Sequence, residues 1–168
     1  PEQLGKQWNE LLASLAASFI KQAKDYELTP EMIRTRLDKQ KAPYPMLEMG
    51  LGIYTAYQQA LKYRGAVDFE DLIRLAYKVL TNNRDYLERL RRRWPVILED
   101  EAQDSSLIQE KLLSLLCGDD GNWVRVGDPN QAIFETFTTA EPRLLREFLE
   151  REDVTPVHLQ SSGRSARR

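Results

Sequence analysis

The sequence predicts an α/β protein in which an all-helical first third precedes a set of parallel strands with helices between them. Three observations carry this. Apolar residues recur at helical spacing through the opening residues, without strand-like alternation. Val96-Ile97-Leu98 is a short, β-branched apolar run that ends abruptly in Glu99-Asp100-Glu101, as a buried strand does. A second run, Trp123 to Val126, follows a capped helical stretch within about 35 residues, the length of a βαβ unit, whose crossover makes its strands parallel.

Each element has a local reason. Leu4, Trp8, Leu11, Leu12, Leu15, Phe19, Ile20 and Ala23 form one stripe of a long amphipathic helix ending near Tyr26. Thr29-Pro30-Glu31 restarts a helix: threonine caps, proline suits the first turn, and glutamate meets the positive end of the dipole. Pro43-Tyr44-Pro45 breaks the chain, a third helix spans 47–63, and Gly65 ends it where a left-handed residue is easiest. Asp68-Phe69-Glu70-Asp71 opens a fourth helix with the apolar face Phe69, Leu72, Ile73, Ala76, Val79 and Leu80, and another covers 86–92. Ser106-Leu107-Ile108-Gln109 has the capping-box pattern, and the helix it starts runs to the Gly118–Gly121 turn. A last helix spans 142–150, and Val154 to Leu159 reads as a third strand. The boundary between the two regions falls near Arg64-Gly65-Ala66, dividing the chain into 1–65 and 66–168. Trp8, Phe19, Tyr26, Tyr54 and Tyr57 read as packing residues, His158 as packed within its strand, and Cys117 as an inert core thiol.

Composition narrows the function. With 42% hydrophobic and 30% charged residues among 168, the chain can bury a core and is not low-complexity. Its net charge of −2 does not advertise a nucleic-acid or membrane partner, so any such binding must come from a local patch. The single cysteine and single histidine exclude an internal disulfide and a Cys/His zinc cluster, and a cytoplasmic protein is expected. No apolar run reaches the ~20 residues that span a bilayer. Arg89, Arg91, Arg92 and Arg93 read as a solvated helix end that complements the dipole.

The chemistry concentrates at the strand ends. In an open parallel sheet, ligands sit beyond the carboxyl ends of the strands. Asp100, Glu101, Gln103 and Asp104 follow the first strand, Asp128, Asn130 and Gln131 the second, and Ser162 and Arg164 the expected third. An apolar strand ending in Asp-Glu suits a nucleotide hydrolase, because the aspartate can hold Mg²⁺ while the glutamate activates the attacking water. Asp100 is the metal candidate and Glu101 the base. Taken alone, the dipeptide is better read as a solubilised strand end. Two such motifs on consecutive strands shift the balance.

These residues carry a resemblance. Val96 to Asp104 resembles motif II of superfamily 1 helicases, an apolar run followed by Asp-Glu-x-Gln-Asp, and Val126-Gly127-Asp128-Pro129-Asn130-Gln131-Ala132-Ile133-Phe134 resembles motif III of their UvrD/Rep/PcrA branch. Val67 to Ile73 is similar to the Asp-Phe-Asp-Asp-Leu signature that precedes motif II there, and Leu159 to Ser165 is similar to motif IV. The match covers roughly residues 54 to 168; the first fifty fit the inserted helical subdomain by position and helicity. The resemblance implies a partial RecA-like P-loop NTPase domain over 66–168, preceded by the C-terminal part of a helical insert over 1–65. It implies an ATP-driven motor moving 3′ to 5′ on single-stranded DNA, in DNA repair or recombination. By matching positions, Asp100 would bind Mg²⁺, Glu101 would be the base, Gln131 would sense the γ-phosphate and Arg164 would be an arginine finger. Gln103 would couple hydrolysis to domain movement, and Asp128 would support the metal site.

The departures are specific. Phe137 is the nearest equivalent of the motif III aromatic that stacks on a DNA base, with Phe134 beside it, but Glu135-Thr136 adds a residue before Phe137, and Thr138-Thr139 replaces the usual Arg-Gly. Gly163 stands where relatives carry the tyrosine that packs on adenine. No G-x-x-x-x-G-K-[ST] occurs, so the backbone N–H groups and lysine that cradle phosphates are not in this sequence. The chain reads as an excised fragment, expected not to hydrolyse ATP alone. The competing expectation is a catalytically silent helicase-like module that binds DNA or docks a partner.

Overall fold

The computed structural model describes residues 2–119, 121–128, 130 and 140–159. Seven helices and two strands follow in the order α1 (Glu2–Asp25), α2 (Pro30–Leu37), α3 (Pro45–Tyr63), α4 (Phe69–Asn82), α5 (Arg84–Arg93), β1 (Val96–Glu99), α6 (Leu107–Cys117), β2 (Asn122–Arg125) and α7 (Pro142–Leu149). The architecture is α/β, mostly helical, with β1 and β2 paired in parallel and Glu99 opposite Arg125.

The helix ends follow the expected chemistry. Thr29 Oγ1 accepts the Met32 N–H, and Asp68 Oδ1 accepts the Asp71 N–H at 2.8 Å, so both residues cap as their types require. Two helices end in a left-handed residue with paired reverse hydrogen bonds: Glu27 (φ 56°) after α1 and Gly65 (φ 60°) after α3. At Gly65 the conformation costs nothing; at Glu27 the surrounding contacts must hold it.

Buried residues lie in both regions. Tyr54 and Ala102 are fully buried, and Leu51, Leu80, Leu87, Ile108, Leu144 and Leu145 are buried as well. The expected apolar stripe of α1 is buried only at its C-terminal end: Ala23 is covered, whereas Trp8, Leu11, Leu12 and Leu15 are exposed. Amphipathic spacing marks a face that can be covered, not what covers it. Tyr26 is likewise exposed, and on α4 only Leu80 of the expected face is buried.

Further expectations are corrected. β1 is not the buried strand expected of its apolar run: Val96 and Leu98 are exposed, and of its four residues Glu99 is the buried one. Val154 to Leu159 forms no strand: the segment makes no ladder with β1 or β2, and Val157 and Leu159 are more than four-fifths exposed. A β-branched run becomes a strand only where a neighbouring backbone takes its hydrogen bonds. His158 within it is therefore exposed rather than packed. Arg91 also leaves the solvated cluster, donating from Nη2 to the Leu115 carbonyl at 2.7 Å and pairing with Glu88, so it ties α5 to the end of α6. Gly118 follows at φ 68°, backbone that favours glycine.

Candidate functional site

The site is built on the loop that leaves β1. The parallel ladder continues one step past the strands, with Val126 N–H donating to the Glu99 carbonyl at 2.8 Å and Ala102 N–H to the Val126 carbonyl at 2.9 Å. To make both bonds the chain must turn sharply between them, and Glu101 does so in the left-handed region, at φ 51° and ψ 42°. For a residue with a Cβ this costs roughly 1–2 kcal/mol and persists only where neighbours impose it. A single 3-10 turn, Ala102–Asp104, follows.

The turn sorts the side chains. Ala102 and Gln103 point inward and are buried, while Asp100, Glu101 and Asp104 face outward. Asp100 Oδ1 accepts the Glu101 N–H at 3.0 Å. Gln103 spans the gap between the two strand ends: its Nε2 donates to Glu101 Oε2 at 2.7 Å, and its Oε1 accepts the Asp128 N–H at 3.1 Å. Asp128 Oδ1 in turn accepts the Asn130 N–H at 2.9 Å. Gly127 makes this approach possible, because a Cβ there would lie 2.4 Å from Gln103 Oε1. Asp100, Glu101, Gln103 and Asp128 thus meet at the carboxyl ends of β1 and β2. Gln131, Phe134, Phe137 and Arg164 lie outside the described residues.

Behind this outward face lies a charged cluster that the sequence does not announce. Glu99, buried, accepts from Trp123 Nε1 at 3.0 Å and from Ser105 Oγ, and its Oε2 lies 2.7 Å from Arg125 Nε. Arg125, whose side chain is 1% exposed, also pairs with Glu110 at 2.7 Å and lies over the rings of Trp123 and Phe148, at 4.6 and 5.0 Å. Burial pushes the Glu110 carboxyl above the usual range, with Arg125 opposing it. In the sequence Glu99 looks like the first of three exposed acids; its opposition to Arg125 in the ladder is the one signal that distinguishes it.

A third cluster joins the helical region to this frame. Lys24, fully buried at the end of α1, donates to Asp71 Oδ2 at 2.8 Å and to Asp68 Oδ2, and lies over the Tyr57 ring. Tyr57 also donates to Asp68 at 2.9 Å. Desolvation pushes the Asp68 carboxyl up, but hydrogen bonds from Lys24, the Asp71 N–H and Tyr57 outweigh it and hold the group below its ordinary value. Desolvation first, then the bond to Asp68, pushes the Tyr57 hydroxyl up to about 12. The acidic residues that open α4 are therefore occupied in holding α1.

Among the described residues no three acidic, histidine or cysteine side chains gather to hold a metal by themselves. Mg²⁺ beside a nucleotide needs only one or two carboxylates, because phosphates and water fill the remaining positions. The outward Asp100 fits that donor set.

The family model of the UvrD/REP helicase N-terminal domain matches residues 2–153. The chain belongs to this family. It is 35% identical over 116 residues to DNA helicase II of Escherichia coli, covering 69% of this chain and 15% of the relative. It is 30% identical over 150 residues to DNA helicase II of Haemophilus influenzae, covering 89% of this chain and 20% of the relative. A third relative, the ATP-dependent DNA helicase UvrD2 of Mycobacterium bovis, is 36% identical over 118 residues, covering 67% of this chain and 17% of its own length. This UvrD/REP chain thus spans a fifth or less of these curated relatives. The match contains the strand-end cluster, both buried ion-pair clusters and the Gln131–Phe137 stretch; Arg164 lies beyond it. Among the described residues no helix is long and apolar enough to cross a membrane.

Proposed function

We propose that this chain is the part of an ATP-dependent DNA helicase that carries the hydrolytic carboxylates, set in one half of a RecA-like motor domain over 66–168 and preceded by a helical subdomain over 1–65. The observation that carries the reading is the Gln103 bridge. One buried amide holds the outward Glu101 carboxylate and, at its other end, the backbone of the loop after β2. A change at either strand end therefore moves the other.

Each residue has a role in this reading. Mg²⁺, held by Asp100, would draw charge from the phosphates as the bond breaks. Glu101 takes a proton from the attacking water, and Gln103 keeps its carboxylate aimed outward. Asp128 shapes the second loop, Gln131 at its end reads the γ-phosphate, and Arg164 offsets the charge that develops there. Phe137, with Phe134, stacks on bases of single-stranded DNA, along which the motor moves 3′ to 5′ in cytoplasmic DNA repair or recombination. Because the 168 residues contain no phosphate-cradling G-x-x-x-x-G-K-[ST], they turn over no ATP alone, and the activity belongs to a longer protein.

Steady-state ATP turnover of the full-length protein, with and without single-stranded DNA, tests this. Turnover that rises with DNA is expected. DNA binding without any turnover would replace the motor with a silent DNA-binding module.

A further inference from the structure

Four consecutive residues at the end of α1 hold three other parts of the chain: the start of α4, α6 and the residue before α7. Lys24 holds Asp68 and Asp71 at the start of α4. The Asp25 carboxylate accepts the N–H of Leu107 and that of Ile108, each at 3.2 Å. Tyr26 donates to Glu141, just before α7, at 2.8 Å, and Glu27 pairs with Lys111 of α6. Asp25 is itself buried, and its two bonds bridge more than eighty residues of sequence.

The first turn of a helix leaves its leading N–H groups without intrahelical partners. At α6 three of these are taken up by side chains. Gln109 Oε1 accepts the Ser106 N–H at 2.9 Å, and Asp25 takes the next two. An acidic group at this end also complements the helix dipole. The start of α6 is thus fixed by a residue outside the α/β unit, immediately after the loop that carries Asp100, Glu101 and Gln103. The other end of that loop is fixed by Glu99, through Trp123, Arg125 and Ser105. Glu101 keeps its left-handed backbone only while both ends stay in place.

We propose that Asp25 is a positioning residue for the Asp100–Glu101 pair: by anchoring the first turn of α6 it holds the exit of the loop and so sets where the two outward carboxylates stand. This rests on the hydrolytic reading above. Lys24, Tyr26 and Glu27 keep Asp25 itself from moving, so displacement of the end of α1 is passed to the loop rather than absorbed.

The test uses the full-length protein with Asp25→Ala, Asp25→Asn and, as a control on the reading, Glu101→Gln. Turnover is expressed per folded molecule and measured against ATP and against Mg²⁺. Displacing a reacting group by about an ångström costs up to roughly a hundredfold in rate. Asp25→Ala is expected to lower kcat about tenfold or more and to raise the Mg²⁺ requirement, with KM for ATP within about twofold. Asp25→Asn keeps one accepting oxygen and should fall between; if Asp25→Ala does not fold, Asp25→Asn carries the test. A purely structural Asp25 would change the folded fraction and leave kcat per folded molecule and the Mg²⁺ requirement alone. That outcome, with Glu101→Gln inactive, overturns the proposal while sparing the hydrolytic reading. Normal turnover in Glu101→Gln overturns both.

Discussion

Gln103 Oε1 accepts the Asp128 N–H at 3.1 Å, so one buried side chain joins the loops that leave two neighbouring parallel strands. The loop after β1 presents the carboxylates, and the loop after β2 leads to the residues expected to read a phosphate. A single amide, with a donor at one end and an acceptor at the other, is suited to this link because it satisfies a carboxylate and a backbone N–H at once.

Gly127 is the first point at which this arrangement is testable. A Cβ there would lie 2.4 Å from Gln103 Oε1 and 3.0 Å from the Ala102 nitrogen, and the second of these is backbone that cannot move aside. Gly127→Ala is expected to destabilise the protein by about 1–3 kcal/mol. A denaturant midpoint unchanged from the unsubstituted protein would contradict the packing described.

The buried Lys24 gives a second prediction. Lys24→Met leaves Asp68 without its cation and Asp71 with Arg74 alone, in a site where each carboxylate is largely covered. Breaking one side of a buried pair costs about 3–5 kcal/mol, and the upper part of that range belongs to deeper sites than this. About 3 kcal/mol is expected from chemical denaturation. By contrast Arg34→Ala, which removes an exposed pair with Glu48, should cost under about 1 kcal/mol despite its two short hydrogen bonds.

The same cluster sets a pH dependence at both ends. The Asp68 carboxyl lies below its ordinary value in the folded protein, so its contribution is present above the unfolded value, near 4, and is lost as pH falls through the folded one. The Tyr57 hydroxyl lies above its ordinary value, so its contribution is complete below about 10 and is lost as pH rises from there to about 12. Unfolding free energies measured across pH should therefore fall less steeply on the acid side in Asp68→Asn, and less steeply on the alkaline side in Tyr57→Phe. Parallel curves for variant and parent would show that neither group is coupled to folding.

Arg125 supplies a prediction on the other side of the site. Arg125→Met keeps the stem beside Trp123 and Phe148 but strands Glu99 and Glu110. A loss of about 3 kcal/mol or more is expected. Adding Glu99→Gln and Glu110→Leu should recover part of it, because no unpaired charge is then left buried while position 99 keeps an accepting oxygen for Trp123 Nε1 or Ser105 Oγ. Thermal unfolding of the single and triple variants separates the two effects.

The helices were legible because their signals are local. Thr29, Asp68, Ser106 and Gly65 act on backbone within a few residues, and each ends or starts a helix where its type requires. The β1–α6–β2 unit was legible for the same reason, to within a residue at β2. What could not be read depends on partners distant in sequence. Lys24 and Asp25 look like two surface charges until Asp68 and Leu107 are brought to them. Glu99 looks solvated until Arg125 is placed across the ladder. Val154 to Leu159 has strand composition and, among the described residues, no strand beside it, and Trp8 lies on the part of an apolar stripe, Trp8 to Leu15, that the described residues leave exposed.

The measurement that bears most directly on the hydrolytic assignment is the turnover of full-length Glu101→Gln, compared with its affinity for ATP and for single-stranded DNA. The substitution removes the charge that takes the proton while leaving an oxygen for Gln103 Nε2. A fall in kcat of at least about a hundredfold, with both affinities retained, is the result predicted for a general base. Turnover close to that of the unsubstituted protein would contradict it, and with it the assignment of the β1 loop as the hydrolytic site.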